Sequence, residues 1–520
     1  MLLNDSANSN TEPEDSASPD ASPPESVADP ALLDDPDAAI LADQPVVVGE
    51  GSVGAGRGAG RGAGRGGLSN AVGVGEATPA AIRQKVIELA GPAIAEMTFS
   101  GMIQVLNMVL VGHLGAVAVA AVGLTNQPVF FAISAFQALN VGATALVARA
   151  VGAGRPEEAN EVTRQTLIIN VFLSSIMATL GYMFAAPILK FMGAEPEVVT
   201  VGLRYFQVIA ITLSFNTLSM SLNSALRGAG DTKTPMRVNL IANVLAVILG
   251  YPMIYGALGF PAMGVFGAGL ASGIARFVSF LLSLSAVVSG KYVIKISIHD
   301  RWRWNSAVIA RMVRIGLPAA LEQFVMRGGM VVFTKTVASL GTVAVASHQI
   351  AMNVLSLSFM PGQGMAVAAT TLVGQNLGAK RPDWAERCGW ETRRLGLIMG
   401  ISLGTIFFVG APYIVRMYTS EVGVIASGTL ALRILALAQP ATANQFILAG
   451  GLRGAGDTTW PLYAAFFGVW GFRVTLSALF VSVLHWGLAG AWVAMLIDQN
   501  TRSLVIYLRF KSGQWKTRKV

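Results

Sequence analysis

The heptapeptide LRGAGDT stands at residues 226–232 and again at residues 452–458, and this repetition decides how the chain is organised. The two copies lie 226 residues apart, and identical residues recur at the same offset far from the motif. The matched pairs include Pro92 and Pro318, Glu96 and Glu322, Leu146 and Leu372, Gly152 and Gly378, and Arg155 and Arg381. Chance does not keep one register over such a length, so we interpret the chain as two homologous halves.

Long apolar stretches fill both halves. Only 13% of the residues are charged, against about 25% in soluble domains, and an apolar stretch of about 20 residues crosses a bilayer as a helix. There are twelve such stretches, near 91–112, 118–148, 166–189, 200–224, 236–257, 264–289, 311–338, 343–374, 394–415, 424–450, 461–484 and 487–509. Because backbone groups in hydrocarbon must bond to one another, these stretches predict helices. We expect an all-α membrane protein with twelve transmembrane helices.

Each half contains six spans, so the chain returns to its starting side and both halves have the same orientation. We therefore expect two parallel six-helix repeats around a central cavity, at residues 81–290 and 311–510, joined by a cytoplasmic linker at 291–310. Basic residues gather after the even-numbered spans and in the C-terminus at 511–520. By the positive-inside rule, both termini are cytoplasmic, in a multi-pass protein of the cell inner (plasma) membrane.

Residues 1–80 form a separate, acidic segment. They carry a net charge of −10, whereas the rest of the chain carries +18. Their Pro-, Asp-, Ser- and Gly-rich composition predicts a disordered cytoplasmic tail. Within it, GAGRGAGRGAGRGG at residues 54–67 is a candidate RNA-binding element, but three arginines bind phosphate weakly, which favours a flexible linker or a misplaced start codon. We expect no nucleic-acid partner.

Nothing in the sequence indicates a bound metal or an organic cofactor. The single cysteine cannot form an internal disulfide, and the four histidines are scattered without metal-ligand spacing. The longer stretch LRGAGDTKTP lacks the glycine directly before the lysine that a phosphate-binding loop needs, because Thr232 precedes Lys233. We therefore expect no ATP binding and no cofactor.

The LRGAGDT motifs themselves are predicted to form turns on the cytoplasmic side. Their glycines permit a tight bend, and the aspartate of each copy, Asp231 or Asp457, is suited to capping the next helix. We favour this structural interpretation. The alternative is a cytoplasmic gating role that involves these aspartates together with Arg227 and Arg453.

Two glutamates lie inside predicted spans at equivalent positions, Glu96 in the first span and Glu322 in the seventh. A carboxylate inside a membrane is costly, so it is usually paired, directed at a cavity or protonated. Each glutamate is therefore a candidate for binding a proton or cation. The alternative is a carboxylate near the interface that anchors a helix end, because each lies four residues beyond the proline that starts its span.

Polar residues continue from Glu96 along the first span. Ser100 and Asn107 share its helical face, and Gln104 lies at the edge of that face. A polar stripe at the depth of the lipid is best explained by a water-filled cavity, so we expect these residues to line one.

The corresponding stripe of the seventh span is mostly apolar. It carries Met326 and Phe333, which suit hydrophobic substrates, although packing explains them equally well. In the eighth span His348 is a candidate titratable group, with a packing role as the commoner alternative. It belongs to a further polar group made of His348, Gln349 and Asn353.

Taken together, these residues resemble the multidrug and toxic compound extrusion (MATE) family. The resemblance covers about residues 80–510 and is carried by the repeated LRGAGDT motif, GHLGAVAVAAVG at 112–123 and SLGTVAVASHQIAMN at 339–353. It implies an antiporter that exports cationic or amphipathic organic compounds while Na⁺ or H⁺ enters. It also implies a V-shaped pair of six-helix lobes and a first helix that bends near a proline, a place that Pro92 occupies. We expect a monomer in the lipid bilayer, with small organic substrates as its partners.

One stretch departs from the family pattern. Many bacterial members carry an Asp in the first helix within V-D-T-x-x-x-G, where this chain has Asn107 in LNMVLVG at residues 106–112. An asparagine cannot titrate, although its carbonyl can coordinate Na⁺. An acid that some members have further along the seventh helix is also missing, with Met326 near its place. Our hypothesis is that Glu96 or Glu322, or both, takes over the coupling role.

A flippase or exporter of lipid-linked or polysaccharide precursors is the main alternative function. Relatives of that kind usually have cavities strongly charged for phosphate, whereas few intramembrane cations here are candidates for the cavity, namely Arg327 and Lys335. A membrane-embedded enzyme is a third interpretation, but it requires a convergent catalytic cluster, and the sequence shows none.

Overall fold

Helices account for nearly all of the structure, a computed structural model that describes residues 78–290, 293–297, 299–300 and 302–518. Residues 1–77 of the predicted disordered tail, with its Gly/Arg repeat, lie outside the described residues, whereas its predicted last residues, 78–80, form the cap and first residues of a helix. The described residues form fourteen α-helices and no strand. The α-helices are α1 (Pro79–Gly112), α2 (Ala116–Gly152), α3 (Pro156–Met183), α4 (Ala185–Phe191), α5 (Pro196–Gly228), α6 (Lys233–Tyr255), α7 (Gly264–Val288), α8 (Ser306–Ala338), α9 (Thr342–Gly378), α10 (Pro382–Arg416), α11 (Val422–Gly454), α12 (Thr459–Phe466), α13 (Thr475–Ala478) and α14 (Gly487–Lys511).

The predicted twelve-helix architecture is confirmed. Each predicted span falls on one long helix, with the short α4 continuing from α3 and the eleventh span running from Thr459 to Val483 through α12, α13 and two π-helical segments. Within the described ranges, ten helices are long and apolar enough to cross a membrane. The remaining two, α8 and α14, carry several charged residues in the middle of their length.

Local sequence explains where the helices start and where the repeated motif bends. Thr78 caps α1 and Asn305 caps α8 by accepting hydrogen bonds from backbone N–H groups in the first turn. In the two LRGAGDT copies, Gly230 and Gly456 have positive φ angles of 93° and 77°. This left-handed conformation is open to glycine at little cost, so both copies turn in the same way between their helices.

The two halves meet across a pseudo-two-fold arrangement. Helix α1 packs against α9, its counterpart α8 packs against α2, and α2 and α9 pack against each other. Equivalent helices thus exchange equivalent contacts, as expected for two lobes that share one orientation. We refer to α1–α7 as the N-lobe and to α8–α14 as the C-lobe.

The C-terminal ends of α2 and α9 come closest to each other. A methyl group added at Gly152 would lie 1.9 Å from the carbonyl oxygen of Gln375, and one added at Gly378 would lie 2.1 Å from that of Arg149. These are equivalent contacts of the two halves, and both need a residue without a side chain. The lobes are therefore in backbone contact at the end of the bundle that carries the LRGAGDT turns, which we call the motif end.

The connection between the lobes is shorter than the predicted linker at 291–310, because α8 already begins at Ser306. Its described residues pack along α3. The side-chain amide of Gln165 donates to the carbonyl of Arg303 at 2.6 Å and accepts from the backbone N–H of Asn305 at 3.0 Å. This contact fixes the start of the C-lobe against the N-lobe.

The basic C-terminus also folds onto the motif end. Trp515 is fully buried and stacks on Phe510 with 4.6 Å between ring centroids. The Glu386 carboxylate accepts a hydrogen bond from the ammonium group of Lys516 at 2.7 Å and raises the pKa of that lysine. The carbonyl of Arg518 accepts from Arg149 of the N-lobe at 3.1 Å. The last described residues therefore join both lobes.

The close α2–α9 crossing gives a prediction about stability. We expect Gly152→Ala to destabilise the protein by about 1–3 kcal/mol, because the added methyl overpacks a backbone contact. Gly123→Ala, also in α2, meets no atom within 4 Å and should be neutral or stabilising by up to about 1 kcal/mol. The stability of both variants is measured by thermal unfolding in detergent, with reaction of the buried Cys388 thiol with a label as the signal of unfolding. Equal unfolding temperatures for the two variants would contradict the proposed crossing.

Candidate transport cavities

Each half contains one ion pair between an intramembrane glutamate and the arginine of its own LRGAGDT motif. Glu96 of α1 binds Arg227 at the end of α5. Glu322 of α8 binds Arg453 at the end of α11, where one guanidinium nitrogen lies 2.8 and 2.9 Å from the two carboxylate oxygens. All four residues follow the 226-residue offset of the repeat. The motif therefore supplies the partner for the glutamate, a connection that the sequence alone does not reveal.

The two glutamates differ in how fully their oxygens are bonded. Glu96 accepts from Arg227 and from the Asn239 amide, at 2.6 Å for the latter, through the same oxygen. Its second oxygen is buried and has no hydrogen-bond partner among the described residues. Glu322 uses both oxygens on Arg453. The N-lobe carboxylate thus retains a free acceptor inside the protein.

Both glutamates lie near the middle of their helices. Helix α1 already begins at Pro79, well before the predicted span, and α8 begins at Ser306. The Glu96 and Glu322 side chains are buried, with 7% and 8% of their surface exposed. They point into the bundle and bind arginine, so the alternative of an anchor at a helix end does not describe them.

A cavity of about 810 Å³, which we call the N-lobe cavity, lies beside the first ion pair and is lined mainly by N-lobe residues, together with Met360 and Gln363 of α9. Glu96, Ser100, Gln104 and Asn107 all line it, along the face of α1 where the sequence predicted a polar stripe. Ser100 accepts a hydrogen bond from the Asn243 amide at 2.9 Å. Most other polar lining residues are neutral amides and hydroxyls, among them Asn126, Gln137, Asn216, Asn223, Asn239 and Gln363.

A second cavity, of about 620 Å³, lies beside the Glu322–Arg453 pair; we call it the C-lobe cavity, and helices α1, α2 and α5 of the N-lobe also contribute to its wall. Met326 lines it, and its sulfur accepts a hydrogen bond from Arg502 at 3.2 Å. Six residues belong to the walls of both cavities, namely Met97, Gln137, Met220, Ser224, Arg227 and Gln363. The two cavities therefore adjoin along the boundary between the lobes.

Four of the residues expected at the cavity lie elsewhere. Phe333 is fully buried, and its ring and the Trp492 ring each lie 5.6 Å from the His348 ring. His348 is thus a packing residue between helices, not part of the lining. Gln349 and Asn353 are exposed on α9, and neither residue belongs to the wall of either described cavity.

A cluster of buried charges in the C-lobe was missed in the sequence. Asp498 of α14 is fully buried. It accepts hydrogen bonds from Arg473 at 2.9 Å and from Arg502 at 2.8 Å. Ionisable residues inside predicted spans are candidates for function by default, and that rule alone would have found all three.

The walls carry more positive than negative charge. Among the described residues, six arginines line the two cavities, against two glutamates. Even when Asp498 is counted with the glutamates, arginines exceed carboxylates by three. The arginines are Arg227, Arg276, Arg327, Arg453, Arg473 and Arg502. The expectation of few cavity cations is corrected, because only Arg327 of the two expected residues is found there and five further arginines join it.

The two motif aspartates have different roles. Asp231 caps α6 as predicted, with its carboxylate accepting from the backbone N–H groups of Lys233 and Thr234 at 3.0 Å. Asp457 is fully buried and binds Arg509 at 2.8 Å and Arg518 at 3.5 Å. In the second copy the aspartate therefore binds arginines of α14 and of the C-terminal segment and does not cap a helix.

The motif turns also bind the opposite lobe through their carbonyl groups. The Arg227 carbonyl accepts from the Thr371 hydroxyl at 2.8 Å, and the Gly228 carbonyl accepts from the Gln375 amide at 3.1 Å. The Ala455 carbonyl accepts from the Arg149 guanidinium at 2.8 Å. These contacts hold the lobes together at the motif end, so the motifs combine a turn with a contact between lobes.

Helix α1 continues through Pro92, the candidate for a bend, which lies inside it. Proline removes one backbone hydrogen bond from the helix and so weakens it at that point, four residues before Glu96. Among the described residues, no group of three or more His, Cys, Asp or Glu side chains is arranged to hold a metal ion.

Comparisons with known proteins agree with this architecture. The profile of the family described as MatE matches residues 92–252 and, separately, residues 318–479, one match for each half. A probable multidrug resistance protein NorM of Thermotoga maritima is 32% identical over 444 residues, which cover 84% of this chain and 94% of that protein. The multidrug resistance protein PmpM of Pseudomonas aeruginosa is 26% identical, with 82% and 90% covered.

A solved structure has the same fold. The crystal structure of MATE in complex with MaL6 superposes with a TM-score of 0.79 at 23% identity, over 86% of this chain and 99% of that one. With both halves matched in sequence and the helical fold shared, the chain belongs to the multidrug and toxic compound extrusion (MATE) family, whose members are membrane transporters and not enzymes.

Proposed function

We propose that the protein is a secondary antiporter that exports amphipathic organic compounds in exchange for H⁺. The observation that carries this proposal is the pair of equivalent Glu–Arg contacts, one beside each cavity. A protonatable group at the same place in each lobe, next to a space for substrate, is what coupling between an ion and a substrate requires. The names of the NorM and PmpM relatives support efflux of organic compounds.

The motif end faces the cytoplasm in this proposal. Basic residues concentrate there, including Arg149, Arg155 and Arg381, in line with the positive-inside rule. The N- and C-termini are then cytoplasmic, and the protein spans the cell inner (plasma) membrane as a monomer.

The arginine partners favour H⁺ over Na⁺ as the coupling ion. Each glutamate is already neutralised by a guanidinium, so a sodium ion at the carboxylate would face a fixed positive charge at close range. A proton meets the same positive charge, but it needs only one carboxylate oxygen and no further ligands, whereas a metal cation needs several oxygen ligands. In the proposed mechanism, protonation therefore accompanies release of the arginine. Asn107 offers a neutral carbonyl in the same cavity but no charge to balance Na⁺.

Release of the arginine would couple proton binding to the contact between the lobes. Arg227 binds Glu96 through its side chain, and its carbonyl accepts the hydrogen bond from Thr371 of the other lobe. A change at the ion pair is thereby connected to the contact that holds the motif end together. Alternating access follows if protonation and substrate binding stabilise different arrangements of the lobes.

A flippase or exporter of lipid-linked or polysaccharide precursors is the second candidate. The arginine excess in the cavity walls favours it, because phosphate groups are recognised by arginine. Resistance to several drugs in an efflux-deficient bacterium that expresses the protein would support the antiporter. A cell-wall defect on deletion, without any change in drug toxicity, would support the flippase.

The coupling role predicts that neutralising the glutamates abolishes proton-driven transport. In proteoliposomes under an imposed ΔpH, we expect Glu96→Gln and Glu322→Gln each to lower the rate by at least about tenfold. The exposed Glu197 at the start of α5 provides the control, and Glu197→Gln should transport normally. Full activity of both cavity variants would refute the coupling role. Transport driven by ΔNa⁺ and not by ΔpH would identify Na⁺ as the coupling ion instead.

The ion pair also predicts a non-additive effect on stability. Arg453→Gln leaves the Glu322 carboxylate buried without its partner and should destabilise the protein by about 3–5 kcal/mol. The double variant Glu322→Gln/Arg453→Gln removes both charges and should recover much of this loss. Thermal unfolding in detergent tests the prediction, which requires the double variant to be clearly more stable than Arg453→Gln alone.

A further inference from the structure

Two of the cavity arginines have no carboxylate partner. Arg227 and Arg453 bind the two glutamates, and Arg473 and Arg502 share Asp498. Within the described part of the chain, neither Arg276 nor Arg327 forms an ion pair or a hydrogen bond. Of the six cavity arginines, these two are the unpaired ones, and we call them the free arginines.

Arg276 lies at the centre of its helix. It follows Gly264 by 12 residues and precedes Val288 by 12 residues in α7. At about 1.5 Å per residue, this places it roughly 18 Å from either end, near the middle of the bilayer. A charge at that depth is costly, so it is normally paired with an opposite charge, hydrated or functional. Because Arg276 lines the N-lobe cavity without a partner, its positive charge must be balanced by water or by an anion in the cavity.

Arg327 lies where the two lobes adjoin. It belongs to the C-lobe cavity wall, and its guanidinium sits 5.4 Å from the centre of the Phe130 ring of α2. Phe130 lines the N-lobe cavity. A contact with an aromatic face orients the guanidinium but leaves its N–H groups available, because they point outward in the plane of the group. The Arg327 guanidinium is therefore positioned at the boundary of the two cavities with its N–H groups available to a ligand.

The remaining charges do not suit a cationic substrate. Both lining glutamates already bind arginine, so the described walls present no unpaired negative charge to a cation, although one Glu96 oxygen has no hydrogen-bond partner. The walls also include eight methionines, namely Met97, Met108, Met220, Met326, Met330, Met352, Met360 and Met495. Methionine adapts to apolar groups of varied shape. A flexible apolar surface next to two free guanidinium groups fits a molecule with an apolar body and an acidic group.

We propose that the transported compounds are amphipathic organic anions, and that Arg276 and Arg327 hold their acidic group. This proposal rests on the export function and names its substrate class, an apolar body that carries a carboxylate, sulfonate or phosphate. The acidic group binds at the free arginines while the apolar body contacts the methionines. Free amphiphiles and anionic lipid headgroups share this chemistry.

Binding of two matched dyes to the purified protein tests the substrate class separately from transport. Fluorescein and rhodamine 6G share a xanthene ring system but are an anion and a cation at neutral pH. By fluorescence anisotropy, we expect fluorescein to bind at least tenfold more tightly than rhodamine 6G. Arg276→Gln and Arg327→Gln should each weaken fluorescein binding about tenfold or more, since each removes hydrogen bonds between a charged donor and the charged acidic group.

A matched control comes from Arg433 of α11. Its guanidinium also stacks on a phenylalanine ring, that of Phe408 at 5.6 Å, but it belongs to neither described cavity wall. Arg433→Gln should leave fluorescein binding unchanged. Equal losses in all three variants, tighter binding of rhodamine 6G than of fluorescein, or binding of neither dye by folded protein would each overturn the proposal.

Two further measurements distinguish a lipid headgroup from a free amphiphile, and failure of the substrate class from failure of the antiport mechanism. Displacement of fluorescein by phosphatidylglycerol would identify the acidic group as a lipid headgroup, and a lack of displacement would identify a free amphiphile. Arginine-dependent fluorescein binding without any transport under ΔpH would reject the antiport mechanism while keeping the substrate class. Proton-driven transport of rhodamine 6G alone would reject the substrate class while keeping the antiporter.

Discussion

A carboxylate buried inside a helical bundle needs a partner, and in both halves of this protein the partner is the arginine of LRGAGDT. The pair ties α1 to α5 in the N-lobe and α8 to α11 in the C-lobe. Each of the two motifs is also a turn whose carbonyl groups bind the opposite lobe. One short motif therefore neutralises a charge inside a lobe and fixes the contact between lobes. Both halves repeat this arrangement at the 226-residue offset of the internal repeat.

The two halves have diverged around this shared frame. Asp231 caps a helix, whereas Asp457 binds arginines of α14 and the C-terminal segment. The C-lobe adds a buried Asp498 with two arginines, whereas Arg276 of the N-lobe has no acidic partner among the described residues. The N-lobe cavity is accordingly rich in neutral amides, and the C-lobe cavity is rich in arginine. Equivalent backbones thus present different chemistry to a substrate.

The fold could be predicted from the sequence because hydropathy and register are local properties that survive divergence. Glu96 and Glu322 could be found for the same reason, as charges in apolar surroundings. Their arginine partners could not, since the motif looked like a loop, whereas α5 and α11 continue through Arg227 and Arg453. The error at His348 has a similar origin. Neighbouring polar residues suggested a cavity around His348, but the sequence does not show that the rings of Phe333 and Trp492, distant along the chain, pack against it.

The separation between paired and free arginines matters for exchange. In the proposed mechanism, protonation of a glutamate releases its arginine, so an anion held by that same arginine would bind better after protonation. Two ligands that strengthen each other's binding travel together, whereas antiport requires that they exclude each other. Holding the acidic group at Arg276 and Arg327 removes this direct electrostatic cooperation. The mutual exclusion of proton and anion must then come from a conformational change, in which each ligand stabilises a different arrangement of the two lobes. An anion-exporting proton antiporter therefore needs arginines that its glutamates do not occupy, and these cavities contain two.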